Sequence, residues 1–214
     1  MKKLSLLLIT FLMAGVMYGQ FHIGPQIGYT ASNLSLKGSD IGTGLRNNFL
    51  AGVFMRIGKK IYVQPELNYM IEGSVFKYPS LKSGLTPVEQ DIKVETIQIP
   101  LSLGWRIINA KIVNVRIFAG ATVNFNSNTT IDTKDPDNSI GQGLLSPLKD
   151  ADFKKSHWKY QVGAGVDVLM FAIDVKYYGN ITNLVNGNVT YNNATHTIDA
   201  GSNVFEVTLG WKIF

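Results

Sequence analysis

The last ten residues of the chain alternate between apolar and polar side chains. Odd positions from 205 to 213 are apolar (FVLWI), and even positions from 206 to 212 are polar or glycine. Side chains of a β-strand point alternately to its two faces, so one face of this strand is wholly apolar. A strand of this kind separates a water-filled interior from lipid, as the strands of a transmembrane β-barrel do. Function must then be sought in loops and interior charges.

The N-terminus has the features of an export signal. Lys2 and Lys3 form a basic start, residues 4–16 form a short apolar run, and the small residue Gly19 follows at a cleavage boundary. The run is shorter than the roughly 20 residues that a membrane-spanning helix needs, so a signal peptide is favoured over a transmembrane helix. We expect residues 1–19 to be removed, with cleavage after Gly19 or Gln20, and residues 20–214 to form one domain.

Charge and cysteine content exclude several protein classes. The chain contains no cysteine, so disulfides cannot stabilise it. Its net charge of +5 falls to +3 when Lys2 and Lys3 leave with the signal. No basic cluster stands out, and we expect no binding to nucleic acid. A membrane protein without further long apolar runs must be a closed barrel, because backbone groups in lipid need internal partners.

Period-two alternation recurs in about eight segments, each close to the 9–11 residues that cross the apolar layer at a tilt. The predicted strands are 21–31, 47–57, 61–71, 94–107, 113–125, 157–168, 171–181 and 205–214. The connections alternate between tight turns and long segments, which are 32–46, 72–93, 127–156 and 182–202. The sequence therefore predicts an all-β protein, an eight-stranded antiparallel up-and-down transmembrane β-barrel with four long extracellular loops and short periplasmic turns. Both termini would be periplasmic.

Aromatic side chains on the apolar parity favour a membrane barrel over a soluble one. Eight lie near the long connections and four lie near the short turns, which predicts two belts at the headgroup levels. A soluble lipocalin-like barrel with its apolar face inside is the alternative. That alternative would crowd large rings into a lumen that eight strands leave barely wide enough for side chains. Pro65 and Pro100 fall in mid-strand, where bulges would accommodate them.

Two short segments carry a family resemblance. Residues 62–67 (YVQPEL) and 99–101 (IPL) resemble the recurring QPEL and IPL motifs of the PorT-type outer-membrane barrel family, and Gly28 and residues 209–211 (LGW) are similar to it too. The resemblance implies an eight-stranded porin-like outer-membrane barrel. The family is named after a member needed for type IX secretion, and most members have no assigned activity.

Charged side chains of the polar parity are predicted to fill the lumen as a structural network. They are Arg56, Glu66, Arg106, Arg116, Lys159, Asp167, Asp174, Lys176, Glu206 and Lys212. Glu66 is expected to be a central acceptor, with Arg56, Arg106 and Arg116 on neighbouring strands as its partners. Paired charges of both signs would plug the barrel. A narrow selective pore is the alternative.

Catalytic and metal sites are not expected. The three histidines show no ligand spacing, and the aspartate-rich segment 132–141 lacks the bidentate glutamate of a calcium loop. Two loop sets could supply a Ser-His-Asp triad at the rim, but sequence proximity is poor evidence for one. The sets are Ser156, His157 and Asp152, and His196, Asp199 and Ser202.

The sequence therefore predicts a non-enzymatic outer-membrane barrel without a cofactor. We expect a scaffold that presents surface loops for binding, or an accessory of an envelope or secretion assembly. Its expected partners are outer-membrane lipid, the barrel-assembly machinery and an envelope protein that the sequence does not identify. A narrow pore for small solutes is the alternative, and a soluble carrier or a rim-site enzyme is less favoured.

Overall fold

The computed structural model describes residues 21–36, 42–78, 86–110, 112–191 and 194–213. The predicted signal peptide, 1–19, and Phe214 lie outside these ranges. No helix within them is long and apolar enough to cross a membrane. Besides one 3₁₀ turn (Asp150–Asp152), they form β1 (Phe21–Leu36), β2 (Gly42–Gly44), β3 (Arg46–Gly58), β4 (Ile61–Lys77), β5 (Glu89–Asn109), β6 (Val113–Lys134), β7 (Leu145–Ser146), β8 (Ser156–Val168), β9 (Phe171–Asn180), β10 (Val185–Tyr191) and β11 (Ala194–Trp211).

Eight of these strands close into a ring. Their order is β1-β3-β4-β5-β6-β8-β9-β11, and the ring closes because β1 pairs with β11 as well as with β3. Every neighbouring pair is antiparallel. Ring closure gives each strand a partner on both sides, which is how a barrel avoids exposed edges. The predicted eight-stranded antiparallel barrel is confirmed.

The period-two pattern places most polar side chains of the ring inside it and leaves apolar side chains outside, although Leu50, Phe54, Met70 and Phe118 are also buried. On β1, Gln26 and Thr30 are buried, whereas Ile27 and Tyr29 are exposed. Exposed rings occur toward both ends of the ring. Toward the long connections they are Tyr29, Phe49, Tyr69, Phe125, Trp158, Tyr160, Tyr177 and Phe205, and toward the short turns they are Trp105, Phe171 and Trp211. We call the set toward the long connections the head-side belt and the set toward the short turns the turn-side belt.

Short turns join the strands at one end, which we call the turn end. Gly58 ends β3 with φ +128°, a left-handed conformation that a residue with a Cβ rarely adopts. A Cβ at this position would also lie 2.3 Å from the carbonyl oxygen of Ile61, where β4 begins. Glycine is therefore required for the tight connection between the two strands.

At the other end the strands run well beyond the predicted boundaries. β5 and β6 have 21 and 22 residues, and the predicted strands 94–107 and 113–125 cover only part of them. The predicted connection 182–202 is mostly a hairpin of β10 and β11. Assigning these segments to loops was wrong. The prediction relied on an apolar outer face, and beyond the head-side belt the outer face is polar.

These extensions form a compact region that we call the head: the parts of the described chain beyond the head-side belt, including β2, β7 and β10. One arm of the head consists of β7, β10, β11 and β1, and the other consists of β6, β5, β4 and β2. Between the arms lies an apolar core, whose buried members are Leu34, Phe76, Tyr78, Val88, Ile92, Val94, Leu145, Leu148, Leu184, Val185, Val189, Ile198 and Ala200.

The two mid-strand prolines interrupt the ladders without shifting their register. Between β4 and β5, pairing stops after Pro65–Leu101 and resumes at Asn68–Gln98 in the same register, so the gap faces Pro100. Between β3 and β4, a similar gap faces Pro65. The expectation that bulges accommodate the prolines was wrong. The irregularities between β5 and β6 lie at residues 95–96 and 106–108 instead.

Candidate functional site

The lumen of the ring is the candidate site because it contains all ten predicted charged side chains. Nine are at most 4% exposed, and the side chain of Lys212 is 8% exposed. They lie in three groups along the lumen, which we call the turn-end, central and head-end clusters.

Asp167 is the shared acceptor of the turn-end cluster. Nη1 of Arg56 donates to it at 2.7 Å, and Nε of Arg116 donates to it at 3.0 Å. Arg116 also lies 2.5 Å from Asp174, and Nζ of Lys212 lies 3.6 Å from Asp167. Two arginines thus share one buried carboxylate, a charge-assisted arrangement that holds four strands in place.

Aromatic packing completes the turn-end cluster. The Tyr62 ring lies between Arg56 and Arg106, with its centroid 5.1 Å and 5.6 Å from their guanidinium carbons. Such contacts attract a cation to the ring face. A Cβ at Gly104 would lie 2.1 Å from this ring, so glycine makes room for it. Arg106 donates Nη1 to the carbonyl of Lys59 at 2.5 Å, which ties the lumen to a turn.

The central cluster consists of one cation between two carboxylates. Nζ of Lys176 lies 2.6 Å from Oε2 of Glu66 and 3.2 Å from Oε1 of Glu206. The Tyr178 hydroxyl donates to Glu206 at 3.4 Å. Glu66 on β4 and Lys176 on β9 are four strands apart in the ring of eight, so their pair joins opposite parts of the barrel wall.

Amide side chains surround Glu66. Gln26 and Gln64 donate to it at 2.8 Å each, and Asn68 donates at 3.2 Å. These amides were not among the predicted site residues. Their signal was present, because Gln64 and Asn68 share the polar parity of Glu66 on β4.

The predicted partners of Glu66 were wrong. Arg56 and Arg116 bind Asp167, and Arg106 packs on Tyr62. Shared parity places a side chain in the lumen but does not give its height. The three arginines lie close to the turn end, whereas Glu66 lies in mid-barrel, where a lysine reaches it across the lumen.

The head-end cluster contains a carboxylate that the sequence analysis assigned to a loop. Oε2 of Glu72 lies 2.6 Å from Nζ of Lys159, and its Oε1 accepts a hydrogen bond from Asn124 at 2.6 Å. Nε2 of His157 lies 3.7 Å from the same carboxylate. Glu72 continues the polar parity of β4, and that signal could have found it.

An apolar layer follows directly above this cluster. Val94 pairs with Glu72 across β4 and β5, and Val94 and Ile92 belong to the head core. The interior therefore contains ion pairs, amides and a small apolar cluster (Leu50, Met70, Tyr178 and Val204) along the ring, and a larger apolar core in the head. Chemically, this arrangement can hold strands together.

The candidate catalytic sets are not assembled. Ser156 is exposed on the outside of β8, whereas His157 points into the lumen, where its Nε2 lies 3.1 Å from the Asn124 amide. In the second set, Asp199 is exposed and Ser202 is buried on the opposite face of β11. Alternation along a strand separates these neighbours in sequence.

Aspartates of the segment 132–141 accept hydrogen bonds from backbone amides. Asp135 accepts hydrogen bonds from the amides of Ser139 and Ile140 at 2.8 Å each, and Asp137 accepts one from Thr86 at 2.7 Å. Within the described ranges, no group of three or more His, Cys, Asp or Glu side chains is placed to hold a metal ion.

Polar groups of the head are paired locally. Tyr78 donates to Gln90 at 2.5 Å, and burial raises the pKa of its hydroxyl above the usual range. On the surface, Lys77 lies 2.9 Å from Glu89, and this contact holds the pKa of Glu89 below its usual value. The head thus satisfies the buried Tyr78 hydroxyl and pairs charges on its outside.

Several solved structures of other outer-membrane proteins are similar to this chain. The crystal structure of OprG from Pseudomonas aeruginosa is 13% identical, with a TM-score of 0.57, covering 91% of this chain and 96% of that one. Ail from Yersinia pestis is 14% identical, with a TM-score of 0.43 and coverage of 91% and 99%. Neisserial surface protein A is 12% identical, with a TM-score of 0.44 and coverage of 89% and 97%.

No curated protein sequence matches the chain. A family profile does: the family described as "Outer membrane protein beta-barrel domain" matches residues 13–186. The match spans most of the chain and agrees with the closed ring and its apolar outer face. The chain therefore belongs to this family of outer-membrane β-barrel proteins.

Proposed function

We propose that this protein is a non-conducting, non-enzymatic barrel that presents its head at the cell surface as a binding platform. One observation supports the proposal: buried charged and amide side chains lie in the lumen from the turn-end cluster to the head-end cluster, and the apolar head core lies beyond them. Eight-stranded barrels enclose space mainly for side chains. Here that space contains charges of both signs whose pairs lie 2.5–3.6 Å apart, together with bulky rings.

Orientation is part of the proposal. Small outer-membrane barrels have short periplasmic turns and longer extracellular connections. The tight turns of this chain lie at the end where β1 begins and β11 finishes. We therefore place both termini in the periplasm, after export by the signal peptide, and the head outside the cell.

A narrow solute pore is the alternative function. It requires a water-filled path, and the buried ion pairs of the described lumen together with the head core support a closed barrel instead. A soluble carrier is disfavoured by the apolar outer surface between the two belts.

We also propose three kinds of partner for the barrel. Outer-membrane lipid would contact the apolar outer surface, and the barrel-assembly machinery would insert the protein. The QPEL and IPL motifs support a narrower proposal, in which the head or the turns dock an envelope or secretion component, as the PorT-type resemblance implies. A cross-linking group introduced at an exposed position of the head would identify such a component.

Planar-bilayer recording tests the closed lumen. Purified wild-type protein should show no steady ion current. Glu66→Gln should lower the urea midpoint of unfolding, because Lys176 loses its closest carboxylate, and it should create no conductance. A stable, reproducible single-channel conductance of the wild type would overturn the proposal and favour the pore.

Cysteine labelling tests the orientation, and the cysteine-free chain suits it. Thr130→Cys, exposed in the head, should react with a membrane-impermeant maleimide in whole cells. Lys59→Cys, at a turn, should react only after the cells are broken. The reverse pattern would invert the proposed orientation.

A further inference from the structure

A polar groove lies at the foot of the head, where the ring of strands opens. Below it, β6 pairs with β8 up to Phe125–Ser156. Above that pair β6 continues to Lys134, and its residues beyond Phe125 form no ladder with β8. The groove encloses about 440 Å³ between residues 126–129 of β6 and a facing wall that includes Asp150, Phe153, Lys154 and Lys155. We call it the rim groove.

Hydrogen bonds connect the backbone of Lys154 and Lys155 to both arms of the head. The Asn126 side chain donates to the Lys154 carbonyl at 2.5 Å, and the Asn126 amide donates to the Lys155 carbonyl at 2.8 Å. From the other arm, the Leu184 carbonyl accepts from the Lys154 amide at 2.9 Å. These hydrogen bonds position the backbone that carries the lysines, which lowers the ordering cost of binding.

Three of the other cations on the head surface have carboxylate partners, whereas Lys134 and Lys149 have none within the part of the chain that the structure describes. Lys77 and Lys93 lie 2.9 Å and 3.2 Å from Glu89 and Asp132, and Arg46 is paired with Asp91. Among the described residues, neither Lys154 nor Lys155 forms an ion pair with a carboxylate.

The height of the groove points to its ligand. Phe125 and Trp158 belong to the head-side belt, which marks the interface of the bilayer. Lys155 precedes Trp158 by three residues, or roughly 10 Å of extended chain. The lysines thus lie at the level of the outer-leaflet headgroups, or just above them, if the head is extracellular.

We infer that the rim groove binds the phosphorylated sugar headgroup of an outer-leaflet glycolipid. Lys154 and Lys155 would contact phosphate, for which lysine serves as a point charge. Asn128, Thr129 and Asp150 line the groove with donors and acceptors suited to sugar hydroxyls. The inference rests on the proposed orientation, because the same groove would face periplasmic lipid in an inverted barrel.

Glycolipid retention tests the site. Full-length protein in nanodiscs is titrated with lipopolysaccharide that carries both lipid A phosphates, and bound glycolipid is measured by native mass spectrometry. The double substitution Lys154→Ala and Lys155→Ala should weaken binding by about tenfold or more, because each lysine near a charged surface contributes several-fold. Asn128→Trp, which keeps both lysines but fills the groove, should also weaken it.

A matched lysine pair provides the control. Lys59 and Lys60 are adjacent in the same way but lie at the turn end. Their double alanine variant should bind as the wild type does. If binding is instead lost in this variant and kept in the Lys154/Lys155 variant, the orientation is inverted and both proposals fail. If neither pair matters, the rim groove is refuted while the proposed function stands.

Three ligands separate the possible sources of the phosphate. Enzymatically dephosphorylated lipopolysaccharide should bind the wild type as weakly as intact glycolipid binds the lysine variant. Phosphatidylglycerol should bind more weakly than the glycolipid, and equal binding would reduce the site to general charge attraction and refute it. Millimolar inorganic phosphate should not displace the glycolipid, and displacement would refute a membrane-borne ligand.

Discussion

The barrel and the head bury opposite kinds of side chain along the same continuous strands. On β5 the outward positions change from Ile97 to Glu95, and the inward positions change from Thr96 to Val94. On β11 the exposed Phe205 belongs to the barrel and the buried Ile198 belongs to the head core. The period of two continues, but the polarity of both faces reverses within a few residues.

This reversal shows that the outer medium, rather than the strand, determines which face is apolar. Lipid on the outside leaves the polar side chains to fill the lumen. Water on the outside makes burial of apolar side chains favourable, as in any soluble β-sandwich. The barrel is therefore held together by hydrogen bonds and ion pairs, and the head by an apolar core. The two regions should respond differently to the same class of substitution.

The largest effect is expected from removing the cation of the central cluster. Lys176→Met leaves Glu66 and Glu206 without their cation while both remain buried. Removing one member of a buried pair typically costs about 3–5 kcal/mol. The free energy of unfolding in urea, measured in lipid vesicles, should fall by this amount.

A second substitution serves as the control. In Glu66→Gln/Lys176→Met, one carboxylate and the cation are removed together, so much of the lost stability should return. If Lys176→Met costs under about 1 kcal/mol, the lumen is wet enough to solvate its charges, and the contrast with the head is weaker than proposed.

The second largest effect concerns the outward face of β6. Ala121 lies outside the ring, between the two belts, and Thr130 lies on the same strand in the head; both are exposed. Ala121→Arg should cost about 2–4 kcal/mol, the range for arginine near the bilayer midplane. Thr130→Arg should change stability by no more than about 0.5 kcal/mol, because water solvates it. Similar costs at both sites would mean that the head-side belt does not mark the membrane boundary.

The fold within the membrane was predictable because a single physical pattern covers it. Polar parity also placed all ten charged residues, from Arg56 to Lys212, which the structure puts in the lumen. The head was missed because its strands keep the period but reverse the polarity, and a search for apolar outer faces ends at residues such as Glu95. Glu72 was therefore assigned to a loop, although it continues the parity of Glu66.

Pairing within the lumen could not be predicted from one sequence. Lys176 meets Glu66 across 110 residues, and their contact depends on strand tilt and on the stagger between neighbouring strands. Parity gives the side of the wall but neither the height nor the direction across the lumen. The arginines of the turn-end cluster were assigned to Glu66 for that reason.

A smaller effect distinguishes packing in the head from packing against lipid. Ile198 is 1% exposed in the head core, and Ile173 lies on the lipid-facing side of β9. Ile198→Val should cost about 0.5–1.5 kcal/mol, because it leaves a cavity in a packed core. Ile173→Val should cost less, since fluid lipid fills the space. Hydrogen exchange of the β10–β11 hairpin should rise in the first variant only, and a rise in both would contradict a separate head core.

The smallest effect is expected for an ion pair outside the lumen, which gives the sharpest comparison with Lys176. Lys93 lies 3.2 Å from Asp132 on the head, but their side chains are 36% and 60% exposed. Exposed pairs typically contribute about 0.2–1 kcal/mol and are screened by salt. A double-mutant cycle of Lys93→Ala and Asp132→Ala should give a coupling free energy below about 1 kcal/mol, and 1 M NaCl should reduce it further. The coupling of Lys176 with Glu66 should resist the same salt, because bulk ions cannot reach a pair enclosed by the wall and the head core. Equal salt sensitivity of the two couplings would mean that solvent ions enter the lumen, which is the condition that a pore requires.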